Sequence, residues 1–281
     1  MGELLAVSDS HVHFKENGRI VEGLRPKSDE DWLLVADGIG DRSDDVLWGL
    51  ELFGKNFSKV FWVPGNHELW TRPDDPINLR GEARHRYLVD NCRSVRIVTP
   101  EDPFVTWEGT AGPVMIAPNF LLYDYSFRAS SLAKEMALEV AERAGIVCTD
   151  EYVLHPDPYP SREAWCRARL EYTAARLDDV PQDMQTVLIN HYPLIREPTE
   201  ILRCPEFALW CGTTATEDWP SRYRAAAVVY GHLHIPRSIS KDGIPHHEVS
   251  LGYPREWMPR AAPPRKLVRV LTGPPAVGCD A

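Results

Sequence analysis

The sequence predicts an α/β fold built on a parallel sheet, and three observations point there. Short apolar runs recur, and each empties into polar residues at its carboxyl end. Segments of helical period separate them, and the first 70 residues read strand, connection, strand, helix, strand. With 281 residues and 43% hydrophobic content, the chain can bury the core of one large α/β domain or two smaller ones.

Leu4-Leu5-Ala6-Val7 is the first strand and runs into Ser8-Asp9-Ser10-His11-Val12-His13. Trp32 to Ala36 is the second, running into Asp37-Gly38-Ile39-Gly40-Asp41. Ser43 reads as an N-cap with Asp44 and Asp45 in the first turn, opening an amphipathic helix through Val46, Leu47, Leu50 and Phe53. Val60 to Val63 is the third strand, and Pro64-Gly65 turns the chain sharply, delivering Asn66 and His67 side by side. An Asn offers a neutral carbonyl oxygen to a hard cation, and the adjacent His is then free for acid–base work. Taken alone, this stretch reads equally well as an ordinary polar loop.

Arg80 to Asn91 is a charged segment with Leu79, Ala83, Tyr87 and Leu88 at helix-like spacing. Arg80, Arg84 and Arg86 are candidate anion binders there, against the plainer reading of a solvated helix face. Pro100 to Pro113 reads as loop, Val114 to Ala117 as a short strand, and Phe120 to Phe127 is rich in aromatic residues. A helix follows from about Ser131 to Ala144 with Gly145 as C-cap, His155 to Pro160 is a stiff connector, and Ser161 caps a helix running toward Leu177. These segments read as a helical insertion at about residues 120–180 within a single domain spanning residues 1–272. Such an insertion is a natural seat for substrate selectivity, or serves packing alone.

Thr186 to Ile189 runs into Asn190-His191-Tyr192-Pro193, and Ala226 to Tyr230 into Gly231-His232-Leu233-His234. From Pro254 the chain is rich in Pro and Arg, and residues 273–281 read as a flexible tail.

The formal charge of −10 disfavours non-specific binding to nucleic acid or to an anionic membrane. No apolar stretch approaches the length of a membrane span, and the first strand begins too early for a signal peptide, so a cytoplasmic location is expected. The six cysteines (Cys92, Cys148, Cys166, Cys204, Cys211, Cys279) are too scattered for a zinc knuckle or disulfide framework and read as reduced thiols.

Five strands thus end in Asp, His or Asn: Asp9/His11, Asp37/Asp41, Asn66/His67, His191 and His232/His234. In open α/β sheets ligands bind outside the carboxyl ends of the strands, so these residues are expected to share one crevice. Carboxylate, imidazole and amide oxygen without thiolate suit Mn²⁺, Fe or Zn²⁺. There are more ligands than one ion needs, and a pair of divalent or trivalent metal ions roughly 3.5–4 Å apart uses them economically.

Together the stretches Asp9-Ser10-His11, Asp37-Gly38-Ile39-Gly40-Asp41, Gly65-Asn66-His67-Glu68, His191 and Gly231-His232-Leu233-His234 resemble the calcineurin-like metallophosphoesterases. That family's pattern is Asp-x-His, Gly-Asp-x-x-Asp, Gly-Asn-His-Asp/Glu, a lone His and Gly-His-x-His. The resemblance implies a four-layer αββα sandwich of two mixed β-sheets. It also implies that Asp9, His11 and His234 bind one metal and Asn66, His191 and His232 the other, with His67 meeting the phosphoryl or leaving-group oxygen. The second motif departs from the pattern, because Asp and Gly are transposed at 37 and 38. Either Asp37 bridges the metals from one residue earlier, the favoured reading, or Asp41 or a water substitutes.

The expected chemistry is hydrolysis of a phosphoester by metal-bound hydroxide without a covalent enzyme intermediate, His67 acting as proton donor polarised by Glu68 or Asp41. Arg80, Arg84 and Arg255 are the candidate substrate-binding cations. Four longer strings, at 65–70, 79–84, 155–162 and 250–257, resemble an actinobacterial branch of the family that includes 4'-phosphopantetheinyl hydrolases. This implies cleavage of the phosphodiester of holo acyl carrier protein to apo carrier protein and 4'-phosphopantetheine. Carrier proteins are acidic, so docking calls for a basic surface, either Arg162, Arg167 and Arg169 or the stretch with Arg255, Arg260, Arg265, Lys266 and Arg269. The alternatives are another phosphohydrolase acting on nucleotides or phosphoproteins, and a non-catalytic scaffold of the same fold.

Overall fold

The computed structural model describes residues 2–260 and 266–273. Among the described residues ten strands make two mixed sheets. The first is ordered β10-β1-β2-β3, from β1 (Glu3–Val7), β2 (Trp32–Val35), β3 (Lys59–Trp62) and β10 (Val268–Thr272). Its three early strands are parallel and β10 is antiparallel to β1. The second is ordered β4-β5-β6-β7-β9-β8, from β4 (Val105–Gly109), β5 (Gly112–Pro118), β6 (Gln185–Ile189), β7 (Ala225–Tyr230), β8 (Arg237–Lys241) and β9 (Ile244–Glu248). Here β5, β6, β7 and β9 are parallel, with antiparallel strands at both edges.

Period-two alternation sorts the side chains into layers. Leu4, Ala6, Leu34, Ala36, Phe61 and Val63 meet Ile116, Val187, Ile189, Ala227 and Val229 between the sheets. On the outer face of the first sheet, Leu5, Val7, Leu33, Val35, Val60 and Trp62 pack under helices α1 (Lys15–Glu22), α2 (Ser43–Asn56) and α4 (Gly81–Ser94), α3 being the single turn Asn66–Leu69. The outer face of the second sheet buries Leu188 and Val228 against Leu177 of α7 (Arg162–Asp178) and Trp219 of α8 (Trp219–Arg222). The layers therefore run αββα, as expected.

Between β5 and β6, α5 (Lys134–Arg143), α6 (Asp150–Val153) and the first half of α7 enclose a separate aromatic core containing Tyr123, Tyr125, Trp165 and Trp210. Ser161 caps α7 as expected, its hydroxyl accepting from Ala164 N at 3.2 Å. A last turn, α9 (Pro254–Trp257), precedes β10.

Several expectations need correction. Pro100 to Pro113 is not all loop, since β4 lies inside it and pairs with β5. Ser43 is the first residue of α2 rather than its cap, and its hydroxyl donates instead to Asp75 Oδ1 at 2.6 Å. The Arg-rich end of the chain holds β10, and Gly273 N bonds Gly2 O, so the predicted tail does not begin at 273; residues 274–281, Cys279 and Arg265 lie outside the described residues. Among the described residues no helix is long and apolar enough to cross a membrane, and the five described cysteines are free thiols.

Candidate metal centre

The parallel strands of both sheets point their carboxyl ends at one edge, and the loops leaving β1, β2, β3, β6, β7 and β9 meet there. Four of the residues delivered, Asp9, His11, His232 and His234, have φ between +38° and +70°. That left-handed backbone costs of order 1–3 kcal/mol per non-glycine residue and persists where the surroundings over-determine it. Glycine makes the close approach possible. A Cβ on Gly231 would lie 2.3 Å from Asp9 Oδ2, and one on Gly38, at φ +110°, would lie 2.7 Å from the Asp9 Cα.

The polar side chains form two triplets. In the first, His234 Nε2 lies 3.2 Å from Asp9 Oδ1 and 3.2 Å from His11 Nε2, and His11 Nε2 lies 3.9 Å from Asp9 Oδ1. His234 Nδ1 sits 2.9 Å from Glu256 Oε2, which also accepts from Tyr253 N. Burial opposes a charge on His234, but Asp9 and Glu256 outweigh it and raise its pKa to about 10. Burial likewise works against the Asp9 carboxylate, which His234 nevertheless holds well below the usual range. The other Asp9 oxygen accepts from Ser8 Oγ, Ser250 Oγ and His232 N at 2.6, 2.7 and 2.9 Å.

In the second triplet, His191 Nε2 lies 3.0 Å from Asn66 Oδ1 and 3.3 Å from His232 Nδ1. His191 Nδ1 faces two carbonyl oxygens, Ala36 O at 2.9 Å and Asp37 O at 3.1 Å, so the ring proton belongs there and the Nε2 lone pair faces inward. The Asn66 amide nitrogen donates outward to Asp150. An amide oxygen and an imidazole lone pair are thus held 3.0 Å apart with no proton assigned between them, an arrangement that a cation would relieve. The second triplet fits a metal ion on this ground, and the first does so once the His234 Nε2 proton is displaced. Three acceptor-type atoms converge in each, and the outer nitrogens of His191, His234 and Asn66 are committed to protein acceptors, as supporting groups behind metal ligands are.

His67 stands beside the triplets. Its Nδ1 lies 2.6 Å from Asp41 Oδ1, its Nε2 is 3.4 Å from the Tyr253 hydroxyl, and its ring packs on Trp70 at 3.9 Å. Burial works against the Asp41 charge, but His67 holds the carboxyl below its ordinary value. Asp9, Asn66, His67, His232, His234 and Tyr253 line a shared crevice of about 170 Å³. His11, His13 and Asp41 form a further group of ligand-type atoms within 4.8 Å of one another.

Asp37, favoured from the sequence as the bridging ligand, joins neither triplet. Its Oδ1 accepts from Ile39 N at 2.8 Å and its Oδ2 from the Trp62 indole, both under the helix-covered face of the first sheet. The cause is the period of a strand: moving the Asp one residue earlier than the family pattern turns its side chain to the opposite face. Burial and the neighbouring Glu68 push its carboxyl well above the usual range. Glu68 is not the partner of His67 either, since it accepts from the backbone N–H groups of Gly65, Gly38 and Gly40 at 3.0, 3.2 and 3.2 Å and ties the two loops together.

The candidate substrate cations separate. Arg84 is fully buried, with Nη2 2.8 Å from Asp75 Oδ2 and further bonds to Glu68 O and Ile77 O, so it braces the loops and faces no solvent. Arg80 is half exposed beside His155 and Asp157. Arg255 is exposed and lies over the ring of Tyr253, itself a crevice residue, at 4.7 Å. Of the basic set on α7, Arg162 and Arg169 are spent on Glu151 and Glu101 at 2.8 and 2.7 Å, and only Arg167 is exposed.

Sequence reasoning missed Glu256, Tyr253 and Asp150. The first two lie in Ser-Leu-Gly-Tyr-Pro-Arg-Glu-Trp, the stretch 250–257 that entered above only for its likeness to relatives. Asp150 carried no signal, being one acidic residue among several between β5 and β6.

The calcineurin-like phosphoesterase family model matches residues 3–236. The acyl-carrier-protein phosphodiesterase PptH of Mycobacterium tuberculosis is 48% identical over 272 residues, covering 96% of this chain and 84% of that protein. The crystal structure of phosphopantetheinyl hydrolase (PptH) from M. tuberculosis superposes with a TM-score of 0.93, covering 97% of each chain. A Thermus thermophilus protein of 13% identity gives a TM-score of 0.51 over 89% of this chain and 88% of its own, a likeness of fold alone.

Proposed function

This chain belongs to the calcineurin-like phosphoesterase family, and we propose that it cleaves the phosphodiester of holo acyl carrier protein, releasing 4'-phosphopantetheine. The observation that carries the reading is the 48% identity to the carrier-protein phosphodiesterase of M. tuberculosis across 96% of this chain. Two cations are proposed, one held by Asp9, His11 and His234 and one by Asn66, His191 and His232. Mn²⁺ or Fe is the expected metal, and Zn²⁺ suits the same oxygen and nitrogen donors. When bound, the pair supplies Lewis-acid stabilisation of phosphoryl oxygens and an activated water.

The chain's own residues account for the rest. Glu256 and the Ala36 carbonyl hold His234 and His191 with the correct nitrogen facing the crevice. Asp41 accepts from His67 Nδ1 and stabilises the imidazolium, the form that carries the transferable proton on Nε2. From Nε2, His67 gives a proton to the departing oxygen of the carrier protein, and the Tyr253 hydroxyl stands within reach of the same position. Arg255, exposed over the Tyr253 ring, meets the anionic carrier protein.

The test is mass spectrometry of holo carrier protein incubated with the metal-loaded enzyme, beside a generic aryl phosphodiester. Conversion to apo carrier protein supports the reading. Cleavage of the aryl ester with holo carrier protein untouched rejects the substrate and leaves another phosphodiester as the physiological one.

A further inference from the structure

The orientation of Asn66 is set from outside the metal-binding loops. Its Nδ2 donates to Asp150 Oδ1 at 2.9 Å, and Trp70 Nε1 donates to the same oxygen at 2.7 Å. Asp150 is wholly buried, begins α6 and lies 84 residues further along the chain, within the helical insertion. The Arg162 guanidinium pins that turn in place by donating to Asp150 O at 2.8 Å. Asp150 Oδ2 is buried with no hydrogen-bond partner among the described residues, so there the carboxylate is held through Oδ1 alone, by Asn66 and Trp70.

Two physical consequences follow from that placement. A side-chain amide has one accepting and one donating end, and a half-turn of Asn66 would aim its oxygen at the Asp150 carboxylate, acceptor against acceptor. Asp150 therefore selects the rotamer whose Oδ1 faces His191 Nε2. The second consequence concerns charge. Asn66, His191 and His232 are neutral ligands, and Asp37 is turned to the other face of its sheet, so this triplet contains no carboxylate. Asp150 stands behind it at the distance of one amide group, in a buried setting where charges are weakly screened.

We propose that Asp150 is the positioning residue of the second cation: it locks the Asn66 amide with its oxygen inward and supplies negative charge behind three neutral ligands. The insertion thereby completes the metal centre as well as packing on it. This rests on the two-cation reading above, and the experiment separates failure of one from failure of the other.

Metal-free wild type, Asp150→Ala, Asp150→Asn and Trp70→Phe are titrated calorimetrically with Mn²⁺, and bound Mn²⁺ is counted after dialysis. Supporting groups behind metal ligands are typically worth about 10–100-fold in affinity. Wild type takes up two Mn²⁺ per chain. Asp150→Ala weakens one of the two at least tenfold and leaves the other unchanged. Asp150→Asn, whose carbonyl still accepts from Asn66 but which carries no charge, falls between, and its near-identical shape keeps the question answerable if the alanine variant fails to fold. Trp70→Phe removes the other bond to Asp150 and leaves both affinities in place. A loss shared equally by the two cations would mark Asp150 as merely structural and overturn the proposal, as would wild-type affinities in both Asp150 variants. A wild type that binds a single Mn²⁺ rejects the two-cation reading itself, and the role of Asp150 with it.

Discussion

Replacing Asp41 with Asn tests the proton donor with little change of shape. The Asn oxygen can still accept from His67 Nδ1 across the 2.6 Å contact, but the charge that stabilises the imidazolium is gone. His67 and Asp41 side chains are 10% and 18% exposed, so solvent screens the pair only in part. A hydrogen bond to a charged group contributes about 1.5–3 kcal/mol. Losing it disfavours the imidazolium that supplies the proton and so lowers kcat by about 10- to 150-fold at roughly 1.4 kcal/mol per decade. The loss is expected in full on an alkyl phosphodiester, whose leaving oxygen needs a proton, and to be several-fold smaller on a nitrophenyl ester, whose leaving group departs as an anion. Both esters are assayed with saturating Mn²⁺, and bound metal is counted in parallel. Equal losses on the two esters, or an unchanged kcat on the alkyl ester, would refute the role of the pair, and loss of metal would make Asp41 a ligand instead.

Three further outcomes follow from the same geometry. Asp37→Asn is expected to keep the full metal content and turnover, because the Asp37 side chain faces Trp62 and Ile39 N; elemental analysis showing a lost cation would restore it as a ligand. Arg84→Met should cost about 3 kcal/mol in urea unfolding, the penalty for depriving the buried Asp75 carboxylate of its counter-charge while its bonds from Ser43 and Ile77 remain. KM for a small ester should hold, whereas a raised KM at unchanged stability would return Arg84 to the substrate. Finally, cation uptake by the Asp9, His11 and His234 triplet must displace the proton that Asp9 and Glu256 hold on His234 up to about pH 10. Affinity should therefore climb about tenfold per pH unit from pH 7 to 9. In the metal-free protein the same raised pKa contributes stability that is complete below the unfolded value near 6.5 and is lost as pH rises toward 10. Metal affinity independent of pH would contradict this account.

The sequence was most informative where strands are buried on both faces. Leu4 to Val7, Trp32 to Val35 and Ala225 to Tyr230 are nearly continuous apolar runs, and the polar residues after them could only lie at the sheet edge. Edge strands were harder to see. The β8–β9 hairpin went unread although Asp242-Gly243 marks its turn, with φ of +53° and +79° as a two-residue hairpin loop prefers. In β10 the alternation of Val268, Val270 and Thr272 was obscured by the Pro- and Arg-rich residues around it. Asp37 shows a different limit: its residue type and neighbourhood suited a ligand, and only the face of the strand excluded it. Asp150, Tyr253 and Glu256 act through tertiary contacts 84, 186 and 22 residues away in sequence, a separation that local pattern cannot reveal.

The central claim is that water attacks phosphorus in the holo carrier protein and the carrier protein's own oxygen departs. Turnover in H₂¹⁸O followed by mass spectrometry of both products tests it most directly. The account predicts one ¹⁸O in the released 4'-phosphopantetheine and none in the apo carrier protein. An ¹⁸O on the carrier protein, or holo carrier protein recovered intact from an enzyme carrying both cations, would contradict it.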